Sequence, residues 1–292
     1  MVPTSADAND APVSAPPPNF IIFGEMGAGK SSLINLISGK DLAKTSSGAI
    51  SCTLQSTEYK VWLPDSQCEV NLYDTASKII VSHSGLLTKT MQAGLNEPTM
   101  NNANFADAIG NAHDLIVSLQ TKGGIHGLLF CIRGGRISET VQRNYKLFYE
   151  FLCQEKVPLA LVITGLENEP DEMDAWWTQN KTHVQKSGIS PVAHVCITTI
   201  KGFNNVYETR YVESREKVRK MLGELSCHVA YSVDRHSWFA RMYKKMRGFW
   251  APGKRLVAKG RVNMMEILIK RCGLGKEEAK QIVRRIEEKE KD

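Results

Sequence analysis

Eight consecutive residues carry the most specific chemistry in the chain: Gly24, Glu25, Met26, Gly27, Ala28, Gly29, Lys30 and Ser31, a GxxxxGK[ST] pattern. Backbone N–H groups can converge on phosphate oxygens only where glycines let the chain curl closely around the anion. In such a loop Lys30 neutralises the β- and γ-phosphates, and the Ser31 hydroxyl is a ligand for Mg2+. Ser32 completes the expected phosphate-binding set. The helix beginning at Lys30 would point its positive dipole end at the same anion. The context fits, because such a loop needs a strand before it and a helix after it. Phe20–Phe23 is an apolar run ending in Gly24, and Ser31–Ser38 reads as a helix closed by Gly39.

Other residues gain meaning from that loop. Asp74 closes the apolar-rich stretch Val70–Tyr73, where an aspartate beside a phosphate loop holds Mg2+ through water. Between the two lies Thr45–Thr53, which must offer a hydroxyl to Mg2+ and the γ-phosphate if it acts as a switch. Thr53 is the candidate, for metal binding and catalysis, and Ser51 its rival. Arg133 and Arg136 follow a strand end and are read as solvated loop residues. Trp176-Trp177 with Met173 is read as core or interface rather than a base-stacking platform. The seven histidines make no pair at i,i+4, so no metal other than Mg2+ is indicated.

The elements that must position these groups alternate. Strand patterns cover Thr57–Leu63, Cys68–Tyr73, Ile125–Ile132, Val157–Thr164 and Ala193–Thr199, with a turn signal at Pro64-Asp65-Ser66. Helical patterns cover Glu139–Gln154, Asp171–Lys186 and Val206–Leu225. Strands and helices in this order imply parallel crossovers in a doubly wound α/β sheet, whose ligands bind beyond the C-terminal strand ends. After residue 226 the strand pattern stops, and Met264–Ile269 and Glu277–Glu288 read as helices.

Charge is unevenly placed. The net +6 is the sum of +8 in Lys244–Asp292, with 15 basic against 7 acidic residues, and −2 elsewhere, with 22 against 24. Those tail charges are interleaved with acids and read as solvated rather than as a lipid or nucleic-acid surface. No apolar run approaches the ~20 residues of a membrane span. Residues 1–18 are rich in Pro, Ala, Ser and Asp, reading as a disordered leader without a secretory or myristoylation signal. The seven cysteines are scattered and never in CxxC spacing, as expected of free thiols in a cytoplasmic protein.

With these residues in view, the chain resembles the Ras-like G domains of translation-factor-class GTPases. Within them it is similar to the septin-like members, the immunity-associated and chloroplast-import receptor GTPases. It is more similar still to a set of fungal G-domain proteins sharing four segments: GKSSLINLI at Gly29–Ile37, TSSGAxxCT at Thr45–Thr53, an interrupted DTAGLNE at Asp74–Glu97, and VITGLENE at Val162–Glu169. The resemblance spans about 19–224. It implies a three-layer P-loop G domain with a mainly parallel sheet, followed by a basic helical extension over 225–292. It also implies GTP or GDP with Mg2+ as cofactors and, as in septin-like relatives, homodimerisation across the nucleotide face.

Two departures stand out. Where G domains read guanine with [NT]KxD, this chain has Thr164-Gly165-Leu166-Glu167. Glu167 retains a carboxylate for guanine N1–H and the exocyclic amine, but glycine replaces the lysine that lies along the base. Guanine is favoured over adenine through the resemblance. Ile197–Gly202 is a weak match to the second base-contacting loop.

The second departure is in DxxG: Asp74-Thr75-Ala76 is followed by Ser77, and the matching glycine arrives only at Gly94. Removing residues 77–93 restores DTAGLNE in frame, as an unspliced intron would; the alternative is a longer switch loop. After that glycine comes Leu95, where Ras-like enzymes use a glutamine to orient water. The expected function is a slow Mg2+-dependent GTPase switch with an unidentified effector. The alternatives are a nucleotide-binding scaffold without turnover and an ATP-dependent small-molecule kinase.

Overall fold

In the computed structural model, residues 16–45, 56–75, 112, 114–232, 265, 269 and 275–289 are described. The apolar runs form β1 (Asn19–Gly24), β2 (Thr57–Leu63), β3 (Cys68–Asp74), β4 (Gly127–Arg133), β5 (Leu159–Thr164) and β6 (Ala193–Cys196). They join in one sheet of order β2-β3-β1-β4-β5-β6. Only β2 runs antiparallel, paired with β3 through the Pro64–Gln67 turn; the other pairings are parallel.

Strands β1, β4 and β5 are apolar through their central residues, Phe20–Phe23, Leu128–Ile132 and Leu159–Ile163, because both faces are covered. Successive residues alternate between two cores: Ile21, Phe23, Phe130, Leu161 and Ile163 face one, and Phe20, Ile22, Leu129, Ala160 and Val162 the other. The second core is closed by α1 (Lys30–Ser38) and, further along the chain, α4 (Glu208–Ser226). The first is closed by α2 (Glu139–Tyr145), which widens into a π-helical turn at Lys146–Leu152, and by α3 (Ala175–Lys186). Each fully buried Leu, Ile or Phe contributes roughly 1.5–3 kcal/mol, so these alternating runs dictate a three-layer α/β architecture.

Several element ends differ from the sequence pattern for visible reasons. Gly39 ends α1 as expected, in the left-handed conformation at φ 73°, its N–H bonded to Asn35 O. Ile125 lies before β4 and forms a two-way bridge with Tyr231, so one residue beyond 226 is also β-paired. β6 stops at Cys196 rather than Thr199 because the Thr198 N–H is taken by the Ser214 hydroxyl of α4, at 3.0 Å. α3 starts at Ala175 rather than Asp171, whose carbonyl is held in a turn by Arg210 at 2.8 Å.

Described residues outside the α/β alternation also touch the sheet and its cores. The Pro18 carbonyl accepts from Asn71 N–H of β3 at 2.8 Å. The C-terminal helix α5 (Lys276–Lys289) buries Ala279 and Val283 in the same core as Phe130, while Lys276, Lys280 and Arg284 face solvent. No helix among the described residues is long and apolar enough to cross a membrane.

Candidate nucleotide site

The candidate residues gather where parallel strands end, at the C-terminal edges of β1, β3, β4 and β5. The loop from Gly24 to Gly29 turns directly from β1 into α1. Gly24 must be glycine: its φ is 146°, and a Cβ there would overlap the Cys131 carbonyl of β4. Gly27 and Gly29 are left-handed at φ 78° and 81°, and a Cβ on Gly27 would meet no protein atom within 4 Å. Ala28 is buried, Met26 is exposed, and Glu25 and Ser32 are intermediate. Helix α1 has neither a side-chain cap nor an acid in its first turn to offset its positive end.

Lys30 is 5% exposed, and its ammonium donates to the carbonyls of Gly24 and Glu25, each at 3.1 Å. Burial lowers its pKa, opposed chiefly by the Asp74 charge. Strand β3, next to β1, brings Asp74 to α1, where the Ser31 hydroxyl donates to Asp74 Oδ2 at 3.1 Å. Asp74 Oδ1 is buried and has no hydrogen-bond partner among the described residues. Burial raises the Asp74 carboxyl above its ordinary range, against the pull of Lys30 and Ser31. A buried carboxylate oxygen in need of a partner, next to a serine hydroxyl, is a hard oxygen set that suits Mg2+.

The loop after β5 is bound to the phosphate loop. The buried Thr164 hydroxyl donates to Ala28 O at 3.0 Å. One turn further, the Glu167 carboxylate accepts from Thr198 at 3.0 Å, joining the loops after β5 and β6. Arg210 of α4 donates to the Glu167 carbonyl at 2.9 Å as well as to Asp171, clamping the same loop. Gly165, in the lysine's place, is left-handed at φ 77°.

The structure therefore assembles the phosphate-loop residues, Ser31, Asp74, Thr164 and Glu167 along one edge. Thr53, its rival Ser51, residues 77–93 and Leu95 lie outside the described residues. Trp176 and Met173 are buried in the core, and Trp177 stacks on His194 with ring centroids 4.0 Å apart. Arg133 and Arg136 are exposed. Sequence reasoning missed the roles of Thr198, Ser214 and Arg210. Thr198 sits in the weakly matched loop, and the other two are polar residues on a helix with no motif to single them out.

The family model described as 50S ribosome-binding GTPase matches residues 19–164, half of the chain. No curated protein matches. Among solved structures, a dimerisation-deficient mutant of Toc33 from Arabidopsis thaliana is 14% identical, with a TM-score of 0.46, over 74% of this chain and 87% of its own. Era from Aquifex aeolicus bound to GDP·AlF4− is 14% identical, with a TM-score of 0.46, over 94% of this chain and 88% of its own.

Proposed function

Since the chain belongs to the 50S ribosome-binding GTPase family and is a GTP-binding P-loop G domain, we propose that it works as a slow, Mg2+-dependent guanine-nucleotide switch. One observation carries this reading. The Ser31 hydroxyl donates to one oxygen of the Asp74 carboxylate, whose other, buried oxygen has no hydrogen-bond partner among the described residues, beside buried Lys30 at the end of a glycine loop. This grouping supports a site for a metal-bound polyphosphate rather than for a neutral ligand.

Ser31, Asp74 and Thr53 would hold Mg2+, which would supply positive charge to offset that of the bound polyphosphate. Lys30 stabilises the charge that builds on the transferred phosphate, aided by the positive end of α1. The Gly24–Gly29 backbone and Ser32 cradle the phosphates. Thr164 holds the base-side loop against that cradle, and Glu167 accepts from guanine N1–H and its amine, its orientation fixed by Thr198. Leu95 cannot orient a water, so turnover is slow and a partner protein or second protomer facing the nucleotide supplies the missing group. The working domain is residues 19–224, residues 77–93 are an insertion, and the protein acts in the cytoplasm.

The test is to measure GTP, GDP and ATP affinity, and GTP turnover, for the full chain and for a version lacking residues 77–93. Preferential GTP binding with slow turnover is expected. Tighter ATP binding overturns the base assignment. GTP binding without turnover, even at concentrations that drive dimerisation, establishes a scaffold instead of a switch.

A further inference from the structure

The lysine missing from the base-reading segment leaves a gap in the chemistry, and another residue fills its place in space. Gly165 leaves β5 at φ 77°, and a Cβ built there would lie 3.2 Å from Cγ and 3.3 Å from Nε of Arg133. Arg133 is the last residue of β4 and pairs across the sheet with Thr164. Its side chain therefore crosses over Gly165 instead of running out along its own loop. The arrangement is reciprocal: the Leu166 side chain covers Gly134, and the Gly134 N–H donates to Thr164 O at 2.7 Å. Two glycines let the two loops interlock, with an exposed guanidinium left on the outer surface.

That surface adjoins the site. Thr164 is bonded to Ala28 of the phosphate loop, and a Cβ on Gly29 would stand 3.5 Å from the Thr164 side chain. Two residues beyond Gly165, Glu167 is held by Thr198. Arg133 thus lies against the loop that is bonded to the phosphate cradle at Thr164 and leads on to Glu167, the loop that would flank a purine linked to that phosphate. Guanidinium groups stack on nucleobase faces, whereas a glycine offers none.

We propose that Arg133, supplied by the neighbouring strand, is the base-stacking residue of this site and takes the place of the lysine absent at Gly165. The proposal rests on the nucleotide-binding reading above. It also makes Gly165 a requirement, since any side chain there would displace the arginine.

The test compares dissociation constants of the full chain for GDP, ADP and pyrophosphate, all with Mg2+, across wild type, Arg133→Ala, Arg133→Met and Arg133→Lys. Arg133 is exposed, so these variants should fold, which their unfolding midpoints check. The expected result is roughly a tenfold or greater loss of GDP affinity in the Ala and Met variants, partial recovery in Lys, and unchanged pyrophosphate binding. Unchanged GDP affinity in Arg133→Ala overturns the proposal. An equal loss for GDP and pyrophosphate also overturns it, because Arg133 would then act on phosphate. If wild type prefers ADP, the guanine reading fails; stacking survives only if Arg133→Ala weakens ADP and spares pyrophosphate. If wild type binds neither nucleoside diphosphate, both readings fall.

Discussion

The Thr164 hydroxyl of β5 donates to the Ala28 carbonyl of the phosphate loop at 3.0 Å, joining residues 136 positions apart. It also lies 3.3 Å from the Ile132 carbonyl of β4. Thr164→Val keeps the shape and strands buried carbonyl acceptors, so it should cost about 1–3 kcal/mol in urea unfolding. Nucleotide affinity should fall with it, and Thr164→Ser should recover both. Equal stability of Thr164→Val and wild type would show that the bond does not couple the two loops.

Ser31 and Asp74 should matter only through the metal. Ser31→Ala and Asp74→Asn should each weaken GTP binding in Mg2+ by ~10- to 100-fold, the range for disturbed metal-site groups. Isothermal titration in excess EDTA should bring the Ser31→Ala variant close to wild type. Persistence of the full defect in EDTA would assign Ser31 to the phosphate instead.

If Glu167 reads the base as proposed, its substitution should change which base is preferred. Glu167→Gln replaces two acceptors by one acceptor and one donor, mismatching guanine's N1–H and amine but suiting the carbonyl that xanthine carries at that position. GDP affinity should drop ~10- to 100-fold, as expected for a lost charged hydrogen bond, while XDP affinity rises. Competition binding with the two diphosphates measures the exchange, and an unaltered GDP preference argues that Glu167 does not touch the base.

Gly24 and Gly27 should separate folding from binding. Gly24→Ala drives a methyl into the Cys131 carbonyl at a φ of 146°, and should cost about 3 kcal/mol or more. Gly27→Ala meets no protein atom within 4 Å and should cost only about 1 kcal/mol of backbone strain. Denaturation curves of the two variants check the contrast.

Val283 tests whether α5 is part of the domain. It is 1% exposed within the core that holds Phe130 and Phe148. Val283→Asp buries an unpaired charge and should lower the stability of the whole domain by about 3–5 kcal/mol. A melting curve unchanged at the main transition would mean that the helix docks without supporting the core.

The phosphate side of the site was legible in the residues because its chemistry is local. A backbone that curls around an anion requires glycines at set intervals, a lysine and a hydroxyl, all between Gly24 and Ser31. The same holds for the strands: runs such as Phe20–Phe23 and Leu159–Ile163 are apolar at every position because both sheet faces are covered. The α1 terminus at Gly39 was equally plain, since a left-handed cap favours that residue.

The base side was not legible. Glu167 is oriented by Thr198, Thr198 is held by Ser214, Arg210 clamps the loop, and Arg133 fills the space over Gly165. These contacts join residues on different strands and helices, so no spacing along the chain reports them. A helix or strand repeats its side-chain directions at a fixed period, whereas loops at one sheet edge meet only after the sheet has set its strand order. The sequence by itself thus determined that phosphate chemistry belongs at the end of β1. Tertiary structure alone decided which distant side chains shape the rest of the pocket, because β4, β5 and β6 become neighbours only when both cores are buried.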